Sequence, residues 1–260
     1  MKLKDKIVLI TGASSGIGAA CAKQFAEAGA KLLLCARRID KLNELALQLQ
    51  QQYHSNIHTF ALDVRDNADV TKAFASLHAE WKNIDILVNN AGLAAGMDTI
   101  QEGSLDDWEA MIDTNVKGLL YVTKQLLPHM VERNAGHIIN LGSIAGHQVY
   151  PKGAVYCASK FAVNALSQGL RMDLLGTKIR VSTIDPGAVE TNFSVVRFKG
   201  DAQRAAAVYQ GMEPLTPDDI ADAILYCATR PSHINVSEII IMPTDQAAAT
   251  MVSRKPVDAK

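Results

Sequence analysis

A short apolar segment at the start of the chain runs directly into a glycine-rich turn. Residues 6–10 (KIVLI) predict a buried β-strand, residues 11–18 (TGASSGIG) follow at once, and a helical pattern then continues to Gly29. Glycines let the backbone turn tightly and approach a pyrophosphate closely, and the free N–H groups of a helix N-terminus favour anions. A simple tight turn is the alternative interpretation. Because the string lies between a strand and a helix, we interpret it as a dinucleotide-binding turn.

Apolar segments and helical stripes alternate along the rest of the chain. Further strands are predicted at residues 31–35, 57–62, 85–88, 137–141, 178–184 and 238–242. Continuous apolar strands separated by helices predict a parallel sheet that is covered on both faces. Right-handed crossovers then give an α/β fold of the Rossmann type. This fold is a doubly wound parallel sheet of about seven strands, with its ligand at their carboxyl ends.

No linker, charge block or internal repeat divides the 260 residues, so we expect one Rossmann-type domain over residues 1–260. The net charge of −1 gives no reason to expect nucleic acid or an anionic membrane as a partner. Apolar runs stay below the ~20 residues that span a bilayer, and the N-terminus leads into a strand instead of a signal peptide. The four cysteines are scattered, which indicates reduced thiols and a cytoplasmic location. The histidines show no metal-ligand spacing, so we expect no metal site.

Tyr156 and Lys160 lie four residues apart in a segment, YCASK, that has a helical pattern, and Ser143 ends a strand thirteen residues before Tyr156. Residues at i and i+4 share a helix face, which brings the ammonium near the phenol. A neighbouring cation favours the phenolate and lowers the pKa of a tyrosine from its ordinary value near ~10. The pair is therefore a candidate acid/base, although such pairs also arise by chance on helices.

A long helix is predicted to begin near Ser104, a candidate N-cap with Asp107 three residues further on. Asn115 falls on its apolar stripe, so we expect the amide to point inward, where it needs hydrogen-bond partners. A purely structural role and a role beside the site, holding a backbone group or a water, are both open. The stripe itself consists of Trp108, Met111, Leu119, Val122 and Leu126.

Four features occur together in this chain: TGASSGIG, NNAG at residues 89–92, the inward Asn115, and Ser143 with YCASK. The combination resembles the short-chain dehydrogenase/reductase family over essentially the whole chain. The resemblance implies a catalytic tetrad of Asn115, Ser143, Tyr156 and Lys160. In that scheme Tyr156 exchanges a proton with the substrate oxygen, and Ser143 hydrogen-bonds the same oxygen. Lys160 binds the nicotinamide ribose and lowers the pKa of Tyr156, and Asn115 supports a water relay.

The family resemblance also implies a cofactor site, and the charges at the end of the second strand indicate which cofactor it binds. NAD enzymes usually place an acid at the end of the second strand, whereas this strand ends in Arg37 and Arg38, and Asp40 comes later. A guanidinium binds the 2′-phosphate of NADP, so we expect NADP; two merely solvated arginines are the alternative. The residues expected to contact the cofactor are Gly12, Ser14, Ser15, Gly16, Ile17, Gly18, Arg37, Arg38, Asp63, Val64, Asn89, Ala91, Gly92, Tyr156, Lys160, Pro186, Gly187, Val189 and Thr191.

Three further strings, NNAGLAAGMD, VRFKGD and EIIIMPTDQA, are similar to those of the NADP-dependent 3-hydroxy acid dehydrogenases. This resemblance implies hydride transfer between a short 3-hydroxy acid (serine, L-allo-threonine or 3-hydroxyisobutyrate) and its carbonyl form. A substrate lid is expected at about residues 188–213. The candidate substrate residues are Ser143, His147, Tyr156 and Arg197. Arg197 would bind the carboxylate, and an arginine that is merely solvated is the alternative.

Other functions remain open from sequence alone. A reductase of another carbonyl, such as a 3-oxoacyl thioester, a sugar or a steroid, would differ only in its pocket loops. A nucleotide-sugar epimerase would need a larger C-terminal domain than the chain after Gly187 provides, and a non-catalytic nucleotide-binding module would not need a complete tetrad. As in many family members, we expect a homotetramer. The C-terminal tail at residues 244–260 would then pack on a neighbour or fray.

Overall fold

Seven parallel strands form the central sheet of the computed structural model, which describes residues 3–255. Their order across the sheet is β3-β2-β1-β4-β5-β6-β7. Every predicted strand is present, with ends that differ by one or two residues. The strands are β1 (Ile7–Thr11), β2 (Lys31–Ala36), β3 (Ile57–Ala61), β4 (Ile86–Asn89), β5 (Gly136–Leu141), β6 (Ile179–Pro186) and β7 (Glu238–Ile241).

The strand order reverses beside β1. The chain moves outward from β1 through β2 to β3, returns to β4 on the other side of β1, and then continues outward to β7. At such a reversal the connections leave on opposite faces of the sheet, which opens a crevice at the carboxyl ends of the strands. The predicted doubly wound α/β fold is therefore confirmed.

Helices cover both faces of the sheet. Alternate residues of a strand face opposite sides, so Val8 and Ile10 pack in the core that includes the first, second and last helices, whereas Ile7 and Leu9 pack on the opposite side. Phe25 of the first helix is fully buried. Removing such a side chain costs about 3–5 kcal/mol, so its packing fixes the helix that follows the glycine-rich turn. The helices are α1 (Gly16–Glu27), α2 (Ile39–Tyr53), α3 (Asn67–Ala75), α4 (Leu105–Ile112), α5 (Leu119–Glu132), α6 (Ala154–Asp173), α7 (Phe193–Arg197), α8 (Ala202–Ala207) and α9 (Pro217–Ala228).

The long helix predicted from Ser104 is interrupted. A π-helical turn over Asp113–Gly118 separates α4 from α5 and carries Asn115. Ser104 occupies the N-cap position of α4, but its side chain makes no capping hydrogen bond. Asp107 instead forms an ion pair with Lys199, with 2.9 Å between Oδ2 and Nζ. Among residues 3–255, no helix is both long and apolar enough to cross a bilayer.

The predicted lid, residues 188–213, contains the short helices α7 and α8. A hairpin of two short antiparallel strands, β8 (Gln246–Ala248) and β9 (Met251–Val252), follows β7. The sequence pattern did not predict this hairpin.

The hairpin and the residues after it bind both ends of the lid. The Gln246 Oε1 accepts a hydrogen bond from the Ala188 N–H at 2.8 Å. The Lys255 N–H donates to the carbonyl oxygen of Gly211 at 2.7 Å. The described part of the predicted tail therefore packs on the lid of its own chain, and residues 256–260 lie outside the described residues.

Candidate active site

A cleft of about 400 Å³ opens at the carboxyl ends of the strands, and the glycine-rich turn forms part of its wall. Gly12 and Gly16 have φ angles of +66° and +55°, which glycine adopts without strain. Helix α1 begins at Gly16, and the Ser15 side chain makes no capping hydrogen bond to its first N–H groups. These amides and the helix dipole suit a pyrophosphate, so the turn fits a dinucleotide.

The two asparagines of NNAG have different roles. Asn90 lines the cleft, and its Nδ2 donates to the carbonyl oxygens of Thr11 at 2.8 Å and Gly12 at 3.2 Å. Asn89 is buried away from the cleft and donates from Nδ2 to the Asn140 Oδ1 at 2.9 Å. Asn89 is thus not among the residues that line the cleft and Asn90 holds the turn, so a cofactor contact of Asn89 stays a prediction.

Gly18 also lies behind the turn and is not among the residues that line the cleft. A Cβ at this position would lie 2.5 Å from the Asn90 Nδ2 and 2.6 Å from the Gly12 carbonyl oxygen. The absence of a side chain therefore admits the Asn90 amide. Gly18 therefore has a packing role behind the turn, and its contact with the cofactor stays a prediction.

Arg37 and Arg38 lie at the end of the cleft beyond β2. Arg38 donates from Nη2 to the hydroxyl oxygens of Ser14 at 3.0 Å and Ser15 at 2.7 Å. Within the described part of the chain, neither arginine forms an ion pair with an acid. The pair is therefore free to bind an anionic group such as a 2′-phosphate.

A third arginine lies at the same end of the cleft, where sequence reasoning missed it. Arg65 binds the Asp63 carboxylate through Nε at 3.0 Å and Nη2 at 2.6 Å. The guanidinium lowers the pKa of Asp63 below its ordinary value. The pair fixes the Asp63 carboxylate, which lines the cleft beside Val64.

The tyrosine, the lysine and the serine of the predicted tetrad meet in the cleft. The Lys160 Nζ donates to the Leu141 carbonyl oxygen at 2.8 Å and lies 6.0 Å from the centre of the Tyr156 ring. The Ser143 Oγ accepts from the Ala145 N–H at 3.1 Å. The remaining cofactor predictions that line the same cleft are Gly12, Ser14, Ser15, Gly16, Ile17, Arg37, Arg38, Asp63, Val64, Ala91, Gly92, Pro186, Gly187, Val189 and Thr191.

Burial controls the protonation of both catalytic candidates. It raises the pKa of Tyr156 above its ordinary value, and a hydrogen bond with Ser143 and the charge of Arg197 oppose this shift. Burial also lowers the pKa of Lys160 to about 8. The Arg197 guanidinium lies close enough to the phenol for its charge to act on Tyr156, and the lowering of the Tyr156 pKa by Lys160 stays a prediction.

Asn115 points inward as predicted and lies behind the wall of the cleft. Its Oδ1 accepts from the Leu93 N–H at 2.9 Å, and its Nδ2 donates to the Leu93 carbonyl oxygen at 2.8 Å and the Ser159 Oγ at 2.9 Å. These bonds join the π-helical turn to the strand-end loop and to α6. Asn115 therefore ties α6, which carries Tyr156 and Lys160, to the π-helical turn and to the loop after β4.

Arg197 and Tyr156 share a second cavity beneath the lid, which Asp98 and Asp107 also line. The guanidinium carbon of Arg197 lies 5.7 Å from the centre of the Tyr156 ring, and its Nε donates to the Gly96 carbonyl oxygen at 3.2 Å. In residues 3–255 this guanidinium forms no ion pair with an acid. It can therefore bind a carboxylate brought by a ligand.

His147 lines neither of the two cavities, and its contact with the substrate stays a prediction. Its Nε2 lies 3.0 Å from the Asn164 Nδ2 and 3.6 Å from carboxylate oxygens of both Asp185 and Glu238. The ring turns away because Asn164 and these two acids lie behind Ser143. Burial raises the pKa of Asp185 to about 6, and His147 opposes the shift.

Several residues that line the cleft were not predicted from the sequence, because most of them lie next to a recognised motif without being among its characteristic positions. Adjacency to those motifs was the only available signal for most of them, whereas Phe193 and Val196 required knowledge of the lid helix α7. These residues are Ala36, Leu62, Arg65, Asn90, Leu93, Thr114, Leu141, Gly142, Asn192, Phe193 and Val196.

Comparison with known sequences places this geometry among oxidoreductases. The profile of the family described as short chain dehydrogenase matches residues 6–201. The chain is 48% identical over 244 residues to the NADP-dependent 3-hydroxy acid dehydrogenase YdfG of Escherichia coli (strain K12), covering 94% of this chain and 97% of that protein. It is 44% identical over 255 residues to the NADP-dependent 3-hydroxy acid dehydrogenase of Schizosaccharomyces pombe, covering 98% of each.

Solved structures show the same similarity. The closed form of serine dehydrogenase complexed with NADP⁺ matches with a TM-score of 0.90 and 47% identity, covering 96% of this chain and 100% of that one. A serine dehydrogenase from Escherichia coli matches with a TM-score of 0.80 and 44% identity, covering 93% of this chain and 99% of that one. The shared fold, the profile match and the identity over nearly the whole length agree. The chain belongs to the short-chain dehydrogenase family.

Proposed function

We propose that this chain is an NADP-dependent dehydrogenase that interconverts a short 3-hydroxy acid and its carbonyl form. The observation that carries the proposal is the Arg197 guanidinium, which has no acid partner among the described residues and lies beside Tyr156. A carboxylate on Arg197 would place a nearby hydroxyl of a short substrate at the phenol. The 3-hydroxy acid dehydrogenases and the serine dehydrogenase similar to this chain support the same substrate class.

The cleft residues divide into those that bind the cofactor and those that move the proton. Arg37 and Arg38 would bind the 2′-phosphate of NADP, and Asp63 and Val64 would lie at the adenine. Lys160 would bind the nicotinamide ribose. When bound, NADP⁺ supplies the hydride acceptor. The uncapped amides of α1 fit its pyrophosphate.

Proton transfer falls to Tyr156. In oxidation the substrate O–H proton passes to the Tyr156 oxygen, and in reduction the phenol returns it to the carbonyl oxygen. The Ser143 hydroxyl donates a hydrogen bond to the same oxygen and stabilises its developing charge. Arg197 eases loss of the phenol proton through its charge, and we propose that Asn115 keeps the loop and α6 aligned for a water relay from Lys160.

The cavity beneath the lid also supports a substrate with an amino group. Asp98 and Asp107 line it together with Arg197. A Cβ on Gly96 would lie 2.9 Å from the Asp98 Oδ2 and 3.0 Å from the Asp107 Oδ2, so these two carboxylates converge. Asp107 is paired with Lys199, so Asp98 is the carboxylate in this cavity that would bind the ammonium group of serine or L-allo-threonine, with Arg197 binding the carboxylate.

A substrate panel with an Arg197→Met variant tests the proposal. We expect NADP⁺-dependent turnover of L-serine, L-allo-threonine and 3-hydroxyisobutyrate. Loss of a charge-assisted hydrogen bond, about 1.5–3 kcal/mol, should lower kcat/KM for these acids about 10- to 150-fold. For the methyl ester of 3-hydroxyisobutyrate, which has no carboxylate, kcat/KM should change little in the variant. Arg204→Met is the matched control, because this lid arginine stacks on Phe198 and does not line the cavity. Turnover of steroids or sugars, but not of these acids, would contradict the proposal.

We further propose a single-domain homotetramer in the cytoplasm. Large apolar side chains are exposed on α4 and along α6 and its end, as expected of helices that pair between subunits. The four cysteines are free and buried, which fits a reducing compartment. Light scattering that showed a monomer at micromolar concentration would contradict the tetramer. The exposed side chains are Leu105, Phe161, Met172 and Leu175.

A further inference from the structure

His147, Asp185 and Glu238 converge behind the catalytic serine. His147 follows β5, Asp185 lies near the end of β6, and Glu238 begins β7. The His147 Nε2 lies 3.6 Å from the Asp185 Oδ2 and 3.6 Å from the Glu238 Oε1. One nitrogen or oxygen atom of each residue lies within 4.8 Å of the other two. One imidazole and two carboxylates form a donor set that transition-metal cations use in proteins.

A second observation points to a ligand at the same place. The Asp185 side chain is completely buried, and its Oδ2 has no hydrogen-bond partner. Its other oxygen, Oδ1, accepts from the Ser143 N–H at 3.0 Å. A buried carboxylate oxygen without a partner is costly, and this one is directed at His147 and Glu238. A cation held between the three groups would satisfy it.

We propose that His147, Asp185 and Glu238 bind a divalent transition-metal cation, with Zn²⁺ as the best match. The His147 Nε2 lies 3.6 Å from each carboxylate oxygen, and the two oxygens lie within 4.8 Å of each other. The point in the plane of these three atoms that is equally distant from them is therefore at most about 2.4 Å from each. Zn²⁺ bonds to imidazole nitrogen and carboxylate oxygen measure about 2.0–2.2 Å, so the side chains need to close by only a few tenths of an ångström. Water would complete the coordination.

The surroundings allow a cation to enter and connect it to Ser143. The side chains of His147 and Glu238 are 24% and 37% exposed, so the site is reached from solvent. Binding would replace the Asn164 amide as the partner of the His147 Nε2, while Asn164 keeps its 3.1 Å hydrogen bond to Gly146. Because Asp185 also holds the Ser143 N–H, the cation would fix the backbone of the catalytic serine.

Isothermal titration of the metal-stripped full chain with Zn²⁺ tests this site without substrate or NADP. We expect one strong site per chain, with Kd in the micromolar range or tighter, and a Zn²⁺-dependent rise in Tm. His147→Gln and Glu238→Gln should each weaken the Kd by more than the about 10- to 100-fold that follows loss of an outer-shell partner. His129→Gln is the matched control, because His129 also lies near an acid, Glu132, but belongs to no such cluster.

Two results would overturn the proposal. Equal affinity in the wild type and both cluster variants would place the bound Zn²⁺ elsewhere. An absence of strong binding in the wild type would show that these three side chains do not form a metal site. Circular dichroism of each variant confirms that it is folded. Since binding is measured directly, the result does not depend on the proposed dehydrogenase activity.

Discussion

The Lys160 ammonium donates a 2.8 Å hydrogen bond to the carbonyl oxygen of Leu141, the last residue of β5. Lys160 is only 5% exposed, and burial lowers its pKa from 10.5 to about 8. The folded chain therefore binds this proton less tightly than the unfolded chain does. Lys160, which we propose binds the nicotinamide ribose, thus reduces the stability of the folded protein at neutral pH.

Lys160→Met is expected to change how the stability of the cofactor-free protein depends on pH. Between pH 8 and 10.5 the folded chain loses a proton that the unfolded chain still binds, so the free energy of unfolding rises with pH. At about 1.4 kcal/mol per pKa unit, the wild type should gain up to about 3 kcal/mol relative to the variant. Urea denaturation at several pH values measures this gain. If the difference in the free energy of unfolding between wild type and variant stayed constant from pH 8 to 10.5, this prediction would be wrong.

Tyr156→Phe is expected to reduce kcat by about 10²- to 10⁴-fold or more, because it removes the group that exchanges the proton. The phenyl ring keeps the apolar contacts of Tyr156, including the edge-on contact with Phe193. NADP binding should therefore change little. Steady-state kinetics and fluorescence titration with NADPH separate the two effects. Near wild-type kcat would show that another group moves the proton.

The preference for NADP over NAD is expected to depend on Arg37 and Arg38. Two partly exposed charge-assisted bonds should give the wild type a preference for NADP over NAD of about one to three decades. Replacing Arg37 by Asp and Arg38 by Ile should raise KM for NADP far more than for NAD. High salt should weaken the wild-type preference.

Arg65→Gln provides the control for cofactor choice. Arg65 is already bound to Asp63, so its loss should affect both cofactors alike. Equal kcat/KM values for NADP and NAD in the wild type would refute the role of Arg37 and Arg38. Asp40 would then be the residue to test for binding of the adenosine ribose.

Gly18→Ala is expected to destabilise the chain by about 1–3 kcal/mol, since its Cβ would lie 2.5 Å from the Asn90 amide. It should also weaken NADP binding, because Asn90 holds the carbonyls of the turn. Asn90→Ala alone should cost stability too, but the double variant should lose less than the sum. Thermal and urea unfolding of the four proteins measure the coupling. Strict additivity would show that the two positions do not interact.

The sequence predicted what depends on local patterns. Continuous apolar strands, helical stripes and the glycine-rich turn together define the sheet and the cleft. The i, i+4 spacing brought Tyr156 and Lys160 onto one face of α6, and the stripe predicted the inward Asn115. The π-helical turn around Asn115 stayed hidden, because one widened turn leaves the apolar stripe almost unchanged.

The features of the site that the sequence did not predict depend on contacts between segments that are distant in the chain. The position of Arg197 beside Tyr156 requires the lid helix α7 to fold over the cleft. His147 turns away from the cavity because Asp185 and Glu238 approach from β6 and β7. The spacing of Tyr156 and Lys160 also could not show how strongly burial shifts the pKa of each group, because burial depends on the whole fold.

The hydrogen bonds from Gln246 and Lys255 to the two ends of the lid carry a consequence for turnover. A loop that a separate segment clasps at both ends does not swing as an independent flap. We therefore expect substrate exchange to require that the hairpin and the lid move as one body, or that these two hydrogen bonds break first. We expect the rate of turnover to depend partly on Gln246 and Lys255, which follow Tyr156 by about ninety residues or more in the chain.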